Sequence, residues 1–358
     1  MKKILSLLLA CLIISASAWA QPRKYAADYR SATTPTGPIV VAYVTAGEGD
    51  MPDPFAMTHI NYAFGHVNDT FNGVRISNPD RLHRISALKQ QNPALKVMLS
   101  IGGWGSGRFS EMAENPTFRK AFARDCARVM KEFNLDGIDI DWEYPSQGSG
   151  AGISESAADI HNYTLMMQDL RKALGKKALL TLASSQSARY IDFPAILPLI
   201  SFVNVMSYDM GTPPYGLHNA LFPSKRAGRN NTVAAMERHQ KVGIPKTMLT
   251  VGVPFYGRGA RQEGIKDYMN YSELVQLQAN GGQGLKELGL EEGWDDEGKV
   301  PFLTRNGQVV YTIENPRSLQ LKCDWIKQGG FLGAMYWEYV CDDAQGTLRN
   351  IVRDSILK

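Results

Sequence analysis

The chain has 358 residues, 44% of them apolar, enough for one large core or for a core with a smaller lobe. Its formal net charge is +4, and without Lys2 and Lys3 it is 37 basic against 35 acidic residues, or +2. That balance, with no long basic run, argues against nucleic acid or an anionic surface as partner and leaves a neutral polymer such as a sugar open.

The first twenty residues read as an export leader. Lys2 and Lys3 open it, a mostly apolar stretch runs from Ile4 to Ile14, and Ala18-Trp19-Ala20 sets small residues before an expected cut after Ala20. The stretch is short for a membrane anchor, and no other run reaches the roughly 20 residues of a spanning helix. A secreted or periplasmic monomer is expected. Cys11 leaves with the leader, and Cys126, Cys323 and Cys341 cannot all pair. A Cys323–Cys341 bridge is open but unforced; buried free thiols are the plainer reading. No Cys/His cluster has zinc-ligand spacing.

Residues 21–37 are expected to be irregular, and residues 38–358 to form one domain. Strand-like runs fall at 39–44, 59–64, 95–101, 137–142, 178–183, 202–207, 248–254 and 333–338. Helical patterns lie between several of them, at 81–90, 117–133, 154–174, 231–242 and 318–328. Asn78-Pro79 and Asn115-Pro116 introduce the first two, and Ser154 is taken as the cap of the third. Eight strands alternating with helices predict a parallel α/β sheet, and eight is the number that closes a (β/α)8 TIM barrel. The interval between strands seven and eight is too long for a simple crossover. Gly281, Gly282, Gly284 and Gly289, then two short strands around Asn306-Gly307, predict a small α+β insertion over roughly 259–317, on the rim where barrel loops build sites.

The chemistry sits in the run Asp136-Gly137-Ile138-Asp139-Ile140-Asp141-Trp142-Glu143. Alternate side chains of a strand share a face. Asp139, Asp141 and Glu143 therefore point into the barrel, while Ile138, Ile140 and Trp142 point to the helix layer. Asp136 lies at the strand entry. Crowded carboxylates in a partly dry space hold at least one proton towards neutral pH. The outermost, Glu143, then suits a general acid. A Mg²⁺ or Ca²⁺ site is the chemical rival, but no phosphate-binding loop accompanies it.

The sequence resembles glycoside hydrolase family 18, the chitinases and their relatives. The family's Asp-x-x-Asp-x-Asp-x-Glu stands here as Asp136, Asp139, Asp141 and Glu143, followed by Tyr144-Pro145. Ser-x-Gly-Gly stands as Ser100-Ile101-Gly102-Gly103 before Trp104, and Met-x-Tyr-Asp as Met206-Ser207-Tyr208-Asp209. The segment from Gly252 to Arg258 and Tyr336-Trp337-Glu338 resemble the family's seventh and eighth strands. The resemblance implies a retaining hydrolase of β-1,4-linked N-acetylglucosamine polymers or oligomers, with chitin as partner and neither cofactor nor metal. Glu143 would be the acid and then the base, and the substrate's own acetamide the nucleophile, an exception to the two-carboxylate rule. Asp141 would orient that acetamide, Asp139 would share a proton with Asp141, Tyr208 would bond the acetamide carbonyl and Asp209 the sugar hydroxyls. Trp337 would be the floor, with Tyr43, Phe64, Gly103, Trp104, Met206, Tyr256 and Arg258 lining the cleft, although core packing is the commoner fate of any one such aromatic. Ser184-Ser185-Gln186 departs from any fixed pattern and leaves the aglycon side open. No spare length is expected for a separate chitin-binding module. A sugar-binding lectin and an endo-β-N-acetylglucosaminidase on N-glycans are the alternatives.

Overall fold

The structure is a computed structural model that describes residues 29–47 and 49–358. The leader and residues 21–28 lie outside it. In chain order the strands are β1 (Ile39–Thr45), β2 (His59–Val67), β3 (Val74–Ile76), β4 (Lys96–Gly102), β5 (Gly137–Asp141), β6 (Leu179–Ser185), β7 (Phe202–Met206), β8 (Leu249–Pro254), β9 (Tyr256–Gly259), β10 (Tyr268–Asn270), β11 (Glu291–Asp295), β12 (Val300–Arg305), β13 (Gln308–Thr312) and β14 (Gly333–Trp337). Eight are parallel and run β1-β14-β8-β7-β6-β5-β4-β2, with β1 paired back onto β2. That closed ring is the (β/α)8 barrel expected. The exception on its wall is β3, which turns back antiparallel on β2.

Strands covered on both faces read as continuous Val, Ile and Leu runs, and most of these side chains are fully buried. The helices are α1 (Pro79–Ala87), α2 (Phe109–Glu114), α3 (Pro116–Glu132), α4 (Asp159–Leu174), α5 (Phe193–Ile196), α6 (Thr232–Lys241), α7 (Tyr271–Glu287), α8 (Pro316–Gly329) and α9 (Thr347–Leu357). Three begin with one device: Asn78, Asn115 and Asn315 each cap a helix whose first residue is proline. The asparagine oxygen accepts an orphan N–H, and proline brings a preset φ where its missing N–H does no harm.

Ser154 is not such a cap. Helix α4 starts five residues later, and the Ser154 hydroxyl donates to Glu111 at 2.9 Å. The delay has a cause in Asp159, whose buried carboxylate accepts from the Ser156 N–H (2.7 Å), the Ser146 N–H (3.2 Å) and the Ser110 hydroxyl (2.7 Å). Those bonds hold the loop after β5 in a non-helical path.

Between β8 and β14 a five-stranded antiparallel sheet, β10-β9-β13-β12-β11, packs with α7. It begins at Tyr256, slightly upstream of the boundary expected near 259. Asn306 (φ 52°) and Gly307 (φ 77°) both take the left-handed conformation that a two-residue hairpin turn needs. The glycine-rich stretch coincides with a break in α7, where residues 279–282 leave helical geometry. A second small core of Leu217, Ala220, Ala227, Val300 and Phe302 joins the insertion to the loop after β7. Cys126, Cys323 and Cys341 are buried free thiols. No helix among the described residues is long and apolar enough to cross a membrane.

Candidate active site

Strand β5 carries out the alternation expected. Ile138 and Ile140 are fully buried behind the barrel wall. Trp142 continues that face and stacks on Phe109 at 5.2 Å and 12°, with Tyr163 at 6.0 Å. It belongs to the helix layer and not to the site. Asp136 sits at the opposite end of the strand, paired with Lys89 at 3.1 Å and Lys96 at 3.5 Å.

Asp139, in the barrel interior, accepts four hydrogen bonds. Tyr43 (2.9 Å) and Ser100 (2.8 Å) donate to Oδ2, Thr181 (2.5 Å) and Asn204 (3.3 Å) to Oδ1. Its lone pairs are thus occupied, and no bond joins it to Asp141 in this conformation. Three hydroxyls and an amide thus ease the crowding at Asp139. Burial still holds the Asp139 carboxyl above the usual range, opposed by those donors.

Asp141, next up the same face, is 4% exposed, and its Oδ1 has no hydrogen-bond partner. Burial first, then the charges of Glu143 and Asp139, push its carboxyl well above the ordinary value. Glu143 follows just past the strand end. Burial raises it to about 7; the Tyr144 hydroxyl, within hydrogen-bonding reach, works against the rise, and the Asp209 charge adds to it.

The end of β4 is shaped by two glycines. A Cβ on Gly102 (φ 131°) would stand 2.0 Å from the Asp141 carbonyl oxygen, and one on Gly103 (φ 88°) 2.6 Å from the Phe64 ring. The same turn lets the Gly103 N–H donate to that carbonyl at 2.8 Å. The Ser-x-Gly-Gly run does more than allow close approach, since Ser100 is also an Asp139 ligand. Phe64 sits at a register break between β2 and β4, a bulge that re-aims its ring. It stacks on Trp337 at 5.5 Å and 20°, and Tyr43 leans on Trp337 at 5.6 Å.

Opposite lie Tyr208 and Asp209. Burial and the surrounding carboxylates raise the Tyr208 phenol, so it stays a hydroxyl donor. Burial alone would raise Asp209, but hydrogen bonds from Arg258 (Nε to Oδ1 at 2.8 Å, a terminal nitrogen to Oδ2 at 2.6 Å) and His218 hold it well below the carboxylate range. Tyr256 stacks on Tyr268 at 4.5 Å, with the Arg258 guanidinium over both rings.

These side chains line one cleft of about 720 Å³. It gathers Tyr43, Phe64, Trp104, Asp141, Glu143, Met206, Tyr208, Asp209, Tyr256, Arg258 and Trp337 from the residues picked in the sequence. Asp139 and Gly103 stand behind its wall. Trp104 is 65% exposed and edge-on to Tyr144, which stacks on Tyr190 at 5.2 Å. The sequence reading missed Tyr144, Gly211, Thr212, Arg261 and Asp267 as lining residues. For Tyr144 the signal was available, since it follows Glu143 directly; the others come from loops without a pattern.

A barrel with three carboxylates rising up one strand into an aromatic cleft is the geometry of a glycoside hydrolase. The chain belongs to the glycosyl hydrolases family 18, whose model matches residues 39–342. It is 32% identical over 308 residues to chitinase A1 of Niallia circulans, covering 75% of this chain and 44% of that protein. It is 28% identical over 331 residues to an endochitinase of Manduca sexta, covering 81% and 59%. The chain thus spans about half the length of these curated relatives. A solved structure of a family 18 N-acetylglucosaminidase from Paenibacillus barengoltzii matches at a TM-score of 0.78 and 29% identity, over 89% of this chain and 100% of that one.

Proposed function

We propose that the protein is a chitinase that hydrolyses β-1,4-linked N-acetylglucosamine chains with retention, using Glu143 as general acid and base. The observation that carries this reading is the buried, unpartnered Oδ1 of Asp141, one step below a glutamate still protonated near neutral pH. A buried acceptor without a donor is costly, and an incoming acetamide N–H supplies the missing bond.

In this reading Glu143 gives its proton to the glycosidic oxygen as the bond to the anomeric carbon breaks. The acetamide carbonyl oxygen of the same sugar attacks that carbon, so no protein nucleophile is required. Asp141 accepts from the acetamide N–H and faces the positive charge that develops on the ring so formed. The Tyr208 hydroxyl steadies the acetamide oxygen. Glu143, now ionised, takes a proton from water, which opens the ring on the face the leaving group left. Trp337, backed by Phe64 and Tyr43, offers an apolar floor to the sugar's C–H face. Asp209, kept ionised by Arg258, accepts from sugar hydroxyls.

The leader at 1–20 supports an exported protein, and a mature chain beginning at Gln21 is the expected product of N-terminal sequencing. The activity is tested with purified protein on chitooligosaccharides and on a high-mannose glycoprotein, with Glu143→Gln as control. Cleavage of the oligosaccharides, abolished in the variant, is expected. Turnover of neither substrate sinks the enzyme reading, and cleavage of the glycoprotein alone moves it to N-glycans.

A further inference from the structure

Asp209 stands three residues past the end of β7, in the left-handed conformation at φ 53°. Arg258 holds it from the insertion side. A second contact comes from His218, whose Nδ1 lies 3.3 Å from Oδ1. An ionised carboxylate only accepts, so this contact requires the proton on Nδ1; the Asp209 backbone N–H also approaches Nδ1, at the longer distance of 3.5 Å. His218 has no exposed surface, and its Nε2 has no partner. An apolar ring would avoid that buried, half-satisfied imidazole. What a hydrocarbon could not supply is the bond to Asp209.

The loop that presents His218 is fastened to the insertion. The His218 N–H donates to Thr312 Oγ1 on β13 at 3.1 Å. Asn219 donates to the Ile313 carbonyl at 3.2 Å and to Glu314 at 3.1 Å, and Glu314 pairs with Lys322 of α8 at 2.5 Å, both fully buried. A continuous polar path therefore runs from α8 through Glu314, Asn219 and His218 to a carboxylate in the cleft.

We propose that His218 is a positioning residue, which fixes the Asp209 carboxylate beside Glu143 and makes the insertion part of the catalytic geometry. The part that concerns sugar binding rests on the chitinase reading; the placement of Asp209 does not. The groups facing Asp209 are Arg258, His218, Glu143, Tyr144, Tyr208 and Tyr256. Lys322 and Arg258 face His218.

The test compares His218→Phe with His218→Asn in the full chain. Asparagine sets an amide nitrogen where Nδ1 stood, and phenylalanine keeps the ring without a donor. Carboxyl ¹³C NMR, with Glu143 assigned through Glu143→Gln, follows the titration of Glu143 without needing turnover. The parent and the Asn variant are expected to titrate alike. The Phe variant is expected to titrate lower by about half a pH unit or more, because the Asp209 charge is no longer held nearby. On a chitooligosaccharide, kcat/KM should fall roughly tenfold in the Phe variant, mainly through KM, and recover with Asn. An unchanged Glu143 titration and KM in a folded Phe variant overturn the proposal. So does an equal loss in both variants without a titration change, which leaves the ring a packing role only. If the Phe variant does not fold, His218→Gln stands in, since its donor reaches the place of Nε2 and not of Nδ1. A parent inactive on every N-acetylglucosamine substrate sinks the chitinase reading, while the NMR titration still decides this one.

Discussion

Glu143→Gln should stabilise the protein as it destroys activity, increasingly as pH rises from 4.5 to about 7. In the folded state burial and Asp209 raise the carboxyl from 4.5 to about 7. A raised carboxyl favours the folded state while protonated, so its contribution is complete below pH 4.5 and is lost as pH rises through 7. At about 1.36 kcal/mol for each tenfold change in affinity for the proton, the ionised side chain costs about 3 kcal/mol above pH 8. Glutamine is neutral at every pH and escapes that cost. Asp141, raised in part by the Glu143 charge, is relieved in the same direction. Urea unfolding of parent and variant at pH 5 and pH 8.5 measures the difference. A small gap at pH 5 that widens to about 3 kcal/mol in favour of glutamine at pH 8.5 is expected. The same gap at both pH values would refute a buried, proton-holding Glu143, whatever the variant does to turnover.

Tyr144→Phe removes the hydroxyl that favours ionised Glu143, so the alkaline limb of kcat/KM against pH should move up by about one unit. Gly103→Ala forces a Cβ against the Phe64 ring at a positive φ; about 1–3 kcal/mol of stability should go, seen in thermal unfolding, with a raised KM as Phe64 leaves Trp337. Lys322→Met strands Glu314 in the core and should cost about 3–5 kcal/mol in urea unfolding.

The barrel and the three-carboxylate face were legible because both rest on periodicity. Alternation put Trp142 in the helix layer, where it stacks on Phe109, and put Asp141 and Glu143 at the cleft. Asparagine–proline pairs announced helices α1 and α3. Loops defeated the same reasoning. Ser154 looked like a cap because its type is right, but the bonds that decide the start of α4 come to Asp159 from Ser110, Ser146 and Ser156. His218, Thr212 and Asp267 carry no periodic signal either. Their place follows from the loop after β7 meeting the insertion, with His218 reaching Thr312, 94 residues further on, a contact no local pattern encodes. The four donors of Asp139 come from four strands, so a reading of one strand at a time could not show them.

That cluster bears on how the barrel finds its arrangement. Tyr43, Ser100, Thr181 and Asn204 reach Asp139 from β1, β4, β6 and β7, and Thr250 of β8 donates to Asn204 at 2.8 Å. With β5 itself, five of the eight staves meet at one carboxylate, and a sixth is tied in through Asn204. A stave slipped by one residue turns its hydroxyl or amide out to the helix layer and strands a charge in a dry interior. Misaligned closures are thereby penalised far more than an all-hydrocarbon lumen would penalise them, and the ring that closes correctly is the one in which Asp141 and Glu143 already stand at the mouth.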